Sequence, residues 1–350
     1  MDWREIANRI QPLSQAWIET AWSRLDDLTK PRRSLGLLEE MAARYTAVRE
    51  ESPPRIAGKA VFVFAGDHGV VAEGVSAYPQ EVTTHMVRNF LAGGAGINVL
   101  ARAAGAEVHV VDIGMAQDLP DAPGLIHRCV RRGTGNLLRE PAMTLKEAEA
   151  AIGVGVEMAH SAHAHGVSVV ATGDMGIGNT TASSALFAAL LPAAAADVTG
   201  RGTGLDDAGL AHKIQVITKA LERHGIGPED PLGALTAVGG LEMAAICGLC
   251  LGGAALRLAV LVDGFISSAG ALAAMRLNPT VADYLFFSHC SVEKGHRVFF
   301  EREGLRPILD LDLRLGEGTG AAVAMQLLED SVRIYNEMAT FADAGIQAGA

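Results

Sequence analysis

Short apolar runs recur through the middle of the chain, and most are followed by a glycine and a helical segment. They predict strands at 60–64, 107–113, 167–171, 235–238, 258–262, 283–287 and 308–315. Because these strands are almost continuously apolar and alternate with helices, the pattern predicts an α/β fold with a parallel, doubly wound sheet covered on both faces. Ligands of such sheets bind beyond the carboxyl ends of the strands.

Both ends of the chain show helical periodicity instead of strand patterns. Residues 1–50 carry apolar positions at helical spacing, and residues 331–350 are predicted to be helical again. Ser52-Pro53-Pro54 separates the first helices from the first strand. We therefore expect a large α/β catalytic domain over 51–330 and a small helical domain built from 1–50 and 331–350.

Composition narrows the class of partner. A hydrophobic fraction of 49% in 350 residues is enough for a sizeable core, and the net charge of −11 argues against nucleic acid and anionic membranes. The first residues lack the apolar core of a signal peptide, and no stretch predicts a membrane span. Four cysteines suit a reducing cytoplasm, so we expect a cytoplasmic protein.

The most informative motif is the glycine-rich segment 173–181, Gly-Asp-Met-Gly-Ile-Gly-Asn-Thr-Thr, between a predicted strand and a predicted helix. Gly176 and Gly178 let the backbone approach a ligand, and the free N–H groups of a helix start favour an anion. No Gly-Lys-Ser/Thr closes the loop, so it is not a Walker loop. It predicts a cradle for the phosphate of a small molecule.

A second glycine-rich loop, Gly200-Arg-Gly-Thr-Gly204, leads into a helix that carries Lys213. Thr203 and the backbone amides could hold ribose or phosphate, and Lys213 offers a positive charge. The alternative is an ordinary loop with a surface lysine.

Glu317 lies between glycines in Gly316-Glu-Gly-Thr-Gly320, where a structural turn would more often carry Asn or Asp.

The segment 78–86 combines an aromatic ring, an amide, an imidazole and a thioether around a helix start. This combination suits a pocket for a flat heterocycle, or else residues of an ordinary hydrophobic core. Polar residues in the loops after the strands are candidates for one shared site: Asp67, His68, Asp174, Asp263, His289, Ser291 and Glu317.

Three patterns imitate other functions. Cys247 and Cys250 have zinc or redox spacing but lie in an apolar helix, which favours buried core. The histidines at 160, 163 and 165 are interpreted as the polar end of a helix. Gly94-Ala-Gly96 with Asp112 imitates a dinucleotide fingerprint, but a predicted helix precedes it where the motif needs a strand.

Seven separated segments together resemble the nicotinate-nucleotide–dimethylbenzimidazole phosphoribosyltransferase family. They are 28–36, 65–70, 74–83, 173–181, 262–269, 316–320 and 336–341. The resemblance implies transfer of the 5-phosphoribosyl group from nicotinate mononucleotide to a benzimidazole, with inversion to the α-anomer and release of nicotinate. It also implies a Rossmann-like sheet with a small helical domain from both chain ends, a homodimer, and no cofactor or metal.

The resemblance also implies roles for particular residues. Glu317 corresponds to the general base, with Asp174 and Lys213 as further catalytic residues. Phosphate and ribose would be bound by Gly176, Ile177, Gly178, Asn179, Thr180, Gly202, Thr203, Gly204 and Ser291. The base would be bound by Tyr78, Pro79, Gln80, His85, Met86, Met175 and Leu315.

The chain departs from the family pattern at three positions. Asp174 stands where Glu is common, His85 where Gln is frequent, and Arg33 where Gly is frequent. The first two concern which base is preferred. Two rival classes remain at this point, a nicotinamide-dependent oxidoreductase and a non-catalytic nucleotide-binding protein, and neither gives Glu317 a chemical role.

Overall fold

The computed structural model describes residues 2–202 and 204–346, and its centre is one six-stranded sheet. The strands are β1 (Lys59–Gly66), β2 (Glu107–Gly114), β3 (Leu125–His127), β4 (Val169–Met175), β5 (Ala259–Val262) and β6 (Leu285–Phe287). Every pairing between neighbours is parallel, in the order β3-β2-β1-β4-β5-β6. This confirms the predicted parallel α/β sheet.

Helices precede the first strand, occupy most of the connections between strands and follow the last strand. They are α1 (Trp3–Ala7), α2 (Gln15–Asp27), α3 (Leu37–Arg49), α4 (Glu81–Leu91), α5 (Gly96–Ala104), α6 (Leu145–Ala164), α7 (Asn179–Leu190), α8 (Ala195–Val198), α9 (Asp207–His224), α10 (Pro231–Val238), α11 (Leu241–Ala255), α12 (Phe265–Leu277), α13 (Lys294–Glu303) and α14 (Thr319–Glu337). Short 3-10 helices span Gly69–Glu73 and Pro279–Tyr284. Within the described residues, no helix has the length and apolar character that crossing a membrane requires.

The strand order creates a switch point between β1 and β4. From β1 the chain builds outward through β2 to β3, and from β4 it builds outward through β5 to β6. The two connections therefore leave the carboxyl ends of β1 and β4 in opposite directions, which opens a crevice there. The crevice lies beside Gly66, which ends β1, and Met175, which ends β4.

The core lies around the four central strands and the helices α11 and α12. Apolar strand residues such as Val63, Val170 and Leu261 are fully buried, as expected when helices cover both faces of the sheet. Cys247 and Cys250 are also fully buried in α11, and burial raises the pKa of both thiols, which confirms them as core residues. The other two interpretations of imitating patterns hold too: α6 ends at Ala164, among the three histidines, and α4 precedes Gly94.

Two predicted strands are wrong. Residues 235–238 end α10, which begins with Pro231 after Asp230 caps it by accepting from the Gly233 amide at 2.9 Å. A short buried apolar run gives the same pattern in a helix as in a strand. The run 308–315 forms only an isolated bridge between Leu309 and His289, because Asp312 turns the chain with φ 55°. The short strand β3 was not predicted.

The two chain ends meet in a second, smaller hydrophobic cluster. It contains Ala21, Leu25 and Leu28 at α2, Ala42 and Ala43 of α3, and Tyr335 of α14. The predicted helix 331–350 is wrong in extent, because α14 begins at Thr319 and ends at Glu337, and residues 340–345 form a bridge and turns. The division of the chain into a large and a small domain stays a prediction.

Candidate active site

The glycine loop after β4 lies in the crevice at the switch point. A Cβ atom at Gly176 would lie 1.9 Å from the Gly66 carbonyl oxygen at the end of β1, so only glycine fits. Gly178 precedes α7 with φ 96°, a left-handed conformation that glycine adopts freely. The Ile177 amide donates to Thr83 Oγ1 at 3.1 Å, which fixes the middle of the loop. The predicted phosphate loop is therefore pinned against β1 and α4.

Lys213 joins the two glycine-rich loops. Its side chain is fully buried, and its Nζ donates to Thr180 Oγ1 at 2.8 Å in the first turn of α7. A Cβ at Gly202, in the second loop, would lie 3.3 Å from the same Nζ. Burial lowers the pKa of Lys213 to about 8. An ammonium group, two glycine loops and a helix start thus converge, a combination that suits a phosphate.

The second loop is described in part. Gly202 and Gly204 both have positive φ, 54° and 108°. Ser291 is buried in the loop that follows β6, where its Oγ accepts from the Glu293 amide at 3.3 Å. Thr203, which sequence analysis also assigned to ribose or phosphate, lies outside the described residues.

Glu317 is held in an unusual backbone conformation. Its φ is 65°, between Gly316 at 78° and Gly318 at 91°. A non-glycine residue in this region carries a strain of about 1–3 kcal/mol, which is typical of functional positions. Glu317 is 4% exposed, and its Oε2 accepts from the Ile97 amide at 3.3 Å. Burial raises its pKa, which improves a carboxylate as a base near neutral pH.

Asp263 holds the turn that carries Glu317. Its carboxylate accepts from the Gly318 amide at 3.1 Å and from the Ala321 amide at 2.9 Å, at the start of α14. Gly173 in β4 packs against the same turn, since a Cβ there would lie 2.7 Å from the Glu317 carbonyl oxygen. The position of Glu317 is therefore fixed from β4, from β5 and from the helix that follows.

Asp174 is the second buried carboxyl group of the crevice. Its Oδ2 accepts from Asn179 Nδ2 at 3.1 Å, and its Oδ1 is buried without a hydrogen-bond partner among the described residues. Burial raises its pKa well above the ordinary value, and the charges of Asp263, Glu242 and Glu317 raise it further. Burial and the neighbouring carboxylates therefore favour the protonated form of Asp174.

A buried ion pair supports the glycine loop from below. His68 Nε2 and Glu242 Oε1 are 2.8 Å apart, and both side chains are fully buried. Burial opposes the charge on His68, but Glu242 offsets this and raises its pKa. A Cβ at Gly178 would lie 3.1 Å from the His68 Cβ, so the pair packs directly under the loop.

The structure places only some of the residues assigned to base binding near Glu317. Leu315 is 60% exposed and covers Gly96, where a Cβ would lie 2.9 Å from Leu315 Cδ2 and 3.5 Å from Glu317 Oε2. Met175 follows Asp174 directly and is half-buried, as is Met86. Gln80 Nε2 donates to the His68 carbonyl oxygen at 3.3 Å. Tyr78, Pro79 and His85 are exposed around the start of α4.

Four buried groups were absent from the assigned roles. Asp263 and His68 stood only among the polar residues after strands, and Glu242 and Glu293 were not singled out. Glu293 follows Ser291 by two residues in a loop after a predicted strand, so the strand-end rule could have found it. Glu242 opens a helix in an apolar segment, and no local pattern marks it.

One group of side chains has the spacing of a metal site. Donor atoms of Asp112, Asp118 and His127 lie within 4.8 Å of one another. Arg132 already pairs with Asp112 at 2.9 Å and with Asp118 at 2.7 Å, which neutralises both carboxylates. This arrangement is a salt-bridge network, and it provides little free charge for a cation.

The family of the chain follows from comparison with known proteins. A family model described as "Phosphoribosyltransferase" matches residues 10–346, which identifies the chain as a glycosyltransferase-type enzyme. The chain belongs to this phosphoribosyltransferase family, which confirms the resemblance seen in the sequence and removes the basis for an oxidoreductase.

Relatives with assigned names are similar in sequence to this protein over nearly the whole chain. The nicotinate-nucleotide–dimethylbenzimidazole phosphoribosyltransferase of Geobacter sp. (strain M21) is 56% identical over 338 residues, 97% of each chain. That of Geobacter metallireducens is 56% identical over 345 residues, 99% of this chain and 98% of the relative. A crystal structure of CobT from Thermus thermophilus superposes with a TM-score of 0.91 at 52% identity, covering 95% of this chain and all of that one.

Proposed function

We propose that the chain transfers the 5-phosphoribosyl group of nicotinate mononucleotide to 5,6-dimethylbenzimidazole, releasing nicotinate and forming α-ribazole 5′-phosphate. The names of its relatives support this substrate pair. The observation that carries the proposal is the placement of Glu317 and of the Lys213 cradle at the same carboxyl edge of the sheet. A base and a phosphate anchor on one edge are what transfer of a phosphorylated ribose requires.

The phosphate of the donor binds where the two glycine loops meet. Lys213 contributes two N–H donors beyond the one that Thr180 Oγ1 accepts, and the first turn of α7 contributes backbone amides. Asn179, Gly202, Gly204 and Ser291 complete the phosphate and ribose contacts in this proposal. The net charge of −11 makes this local positive charge necessary for binding an anion.

The acceptor binds on the Glu317 side of the crevice. Leu315, Met175 and Met86 provide apolar contact, and Tyr78, Pro79, Gln80 and His85 form the outer edge in this proposal. Glu317 accepts the N–H proton of the benzimidazole, so the other ring nitrogen becomes the nucleophile. Proton transfer of this kind contributes about 10²–10⁴-fold to the rate.

The transfer then needs only the two substrates, because the bond formed at C1′ replaces the bond that breaks there. The nitrogen attacks C1′ of the ribose, and the C1′–N bond to the pyridinium breaks with its electron pair going to nicotinate. Attack from the face opposite nicotinate inverts C1′ and gives the α-anomer. The Glu317 charge also favours the positive ribose of the transition state.

Asp174 acts in its neutral form in this scheme. A second ionised carboxylate beside Glu317 would add to a group of negative charges that burial already disfavours. As a neutral acid, Asp174 can donate a hydrogen bond to the ribose or acceptor and orients Asn179 at the start of α7. The homodimer and the cytoplasmic location expected from the sequence stay predictions.

The first prediction concerns Glu317→Gln, which keeps the shape of the side chain but cannot accept the proton. We expect the variant to bind nicotinate mononucleotide with wild-type affinity and to lose about 10²–10⁴-fold in kcat. Chromatography of nicotinate release, run beside equilibrium binding, measures both. The control is Glu222→Gln on the exposed surface of α9, which keeps wild-type turnover. Wild-type turnover in Glu317→Gln would remove Glu317 as the base.

A further inference from the structure

Glu293 is a buried carboxylate that the scheme above does not use. It precedes α13 as its N-cap residue, yet its side chain makes no capping hydrogen bond. It is 8% exposed, and its Oε2 has no hydrogen-bond partner among the described residues. A buried carboxylate in this condition is costly unless its charge acts on another group.

The carboxylate lies against the second glycine loop. A Cβ at Gly200 would lie 2.0 Å from Glu293 Oε2, so the chain passes directly over the carboxylate. The Gly202 backbone N–H lies close enough to the Glu293 carboxylate to lower its pKa. Glu293 thus holds Gly200 and Gly202 from one side.

Lys213 lies on the other side of Gly202. A Cβ at Gly202 would lie 3.3 Å from Lys213 Nζ and 2.8 Å from Thr180 Oγ1. Among the described residues, Lys213 and Glu293 form no salt bridge within 4.0 Å, although the charge of each acts on the other. A direct salt bridge would use up the ammonium donors, whereas this separation leaves them free for a ligand.

We propose that Glu293 is a positioning residue that keeps the charge on Lys213 and fixes the Gly200–Gly202 segment, so that the ammonium group is ready to bind the phosphate of the mononucleotide. This inference rests on the proposed function and adds to it a residue that touches neither reacting atom.

The charges around Glu293 and Lys213 determine whether loss of the Glu293 charge raises or lowers the pKa of Lys213. Burial lowers the pKa of Lys213 to about 8, and Glu293 is the ionisable group that opposes this. Burial raises the pKa of Glu293, while Lys213 and Arg314 lower it. Lys213 is therefore charged below pH of about 8 and loses its charge as the pH rises through that value. Without the Glu293 charge, this loss occurs at lower pH.

The test is the pH dependence of phosphate binding in Glu293→Gln. We expect the affinity for nicotinate mononucleotide and for inorganic phosphate to fall about fivefold at pH 8 and about tenfold at pH 9, the effect of lowering the pKa of Lys213 by about one unit. At pH 6 Lys213 is charged in both proteins, and a carboxylate that repels phosphate is gone, so we expect equal or tighter binding. Calorimetry from pH 6 to pH 9 measures both ligands.

Two further proteins make the test specific. Glu301→Gln, an exposed glutamate of α13, controls for the loss of one negative charge from that helix and should match the wild type at each pH. Lys213→Arg carries a guanidinium that stays charged over the whole range. In that background we expect Glu293→Gln to cause no loss that grows with pH.

An equal loss at every pH, or a pH-dependent loss that persists with Lys213→Arg, would overturn the proposal, because either result indicates a structural role alone. Failure of the proposed function gives a different result. A wild type that binds phosphate with the expected pH dependence but does not bind nicotinate mononucleotide would reject the substrate and keep the Glu293–Lys213 coupling. A wild type that binds neither ligand would overturn both.

Discussion

Two carboxyl groups of the site, Asp174 and Glu317, have different surroundings, and the pKa of Asp174 is the one raised well above its ordinary value. Burial raises the pKa of Glu317, but its carboxylate accepts from the Ile97 amide, which favours the ionised form. Burial and the charges of three nearby carboxylates raise the pKa of Asp174 well above its ordinary value, which favours its neutral form. Groups whose pKa values are pushed apart in this way commonly divide the roles of acid and base.

The protonation of Asp174 leads to a prediction. Asp174→Asn replaces a neutral acid by a neutral amide of the same size, so we expect kcat to stay within about tenfold of the wild type, in contrast to Glu317→Gln. Steady-state nicotinate release measures this. A loss in Asp174→Asn as large as that in Glu317→Gln would show that the charge of Asp174 is needed.

Only part of the site could be predicted at the residue scale. Glu317 and Asp174 stand beside glycines, and Lys213 lies on the helix that follows a glycine-rich loop. The structure brings all three to the same edge of the sheet. Glu242 lacks such a context, because its role depends on a partner far away in sequence. Glu242 pairs with His68, which is 174 residues away in the sequence, and a local sequence pattern cannot reveal a contact over that separation.

At the scale of elements, the glycine loop before α7 is a rigid connection between a strand and a helix. Gly176 contacts the end of β1, Gly178 packs on His68 and Val71, and Thr83 of α4 holds the Ile177 amide. These contacts place the start of α7 before a ligand arrives. Such preorganisation reduces the cost of binding the phosphate.

Gly176→Ala tests this rigidity. The added methyl group would lie 1.9 Å from the Gly66 carbonyl oxygen, so the loop must shift. We expect affinity for nicotinate mononucleotide to fall at least about tenfold and the free energy of unfolding to fall by about 1–3 kcal/mol. Mononucleotide titration and urea denaturation measure these two quantities.

Gly153→Ala in α6 is the matched control, since nothing beyond the neighbouring residues and backbone of its own helix lies within 4 Å of its Cβ position. There the same substitution should raise stability by about 0.4–1 kcal/mol and leave affinity unchanged. Wild-type affinity in Gly176→Ala would contradict the rigid-loop account.

Helices and strands could be predicted from the sequence where the segment is long enough for its apolar pattern to fit only one of the two. Long apolar strands at β1, β2 and β4 and the helix α4 follow from periodicity, whereas the run 235–238 does not distinguish a helix from a strand. The alternating run 308–315 has the sequence pattern of an exposed strand, but the positive φ of Asp312 interrupts the extended backbone that a strand needs. The three-residue strand β3 is too short to leave a pattern.

At the scale of the whole molecule, the sheet order positions the chemistry. The opposite directions of winding at β1 and β4 leave a crevice. Asp174 at the carboxyl end of β4 lies at that edge, together with Asp67, Asp263 and Ser291 in the loops after β1, β5 and β6. The parallel arrangement could be predicted from alternating strands and helices. The order of the strands in the sheet could not, because it depends on contacts between residues far apart in sequence.

The central claim is that this edge of the sheet transfers phosphoribose from one ring nitrogen to another. The most direct measurement incubates the full chain with nicotinate mononucleotide and 5,6-dimethylbenzimidazole and follows the mixture by proton nuclear magnetic resonance. The account predicts one nicotinate released for each benzimidazole consumed and an α configuration at C1′ of the product. Release of nicotinate without benzimidazole, or a product of β configuration, would contradict it.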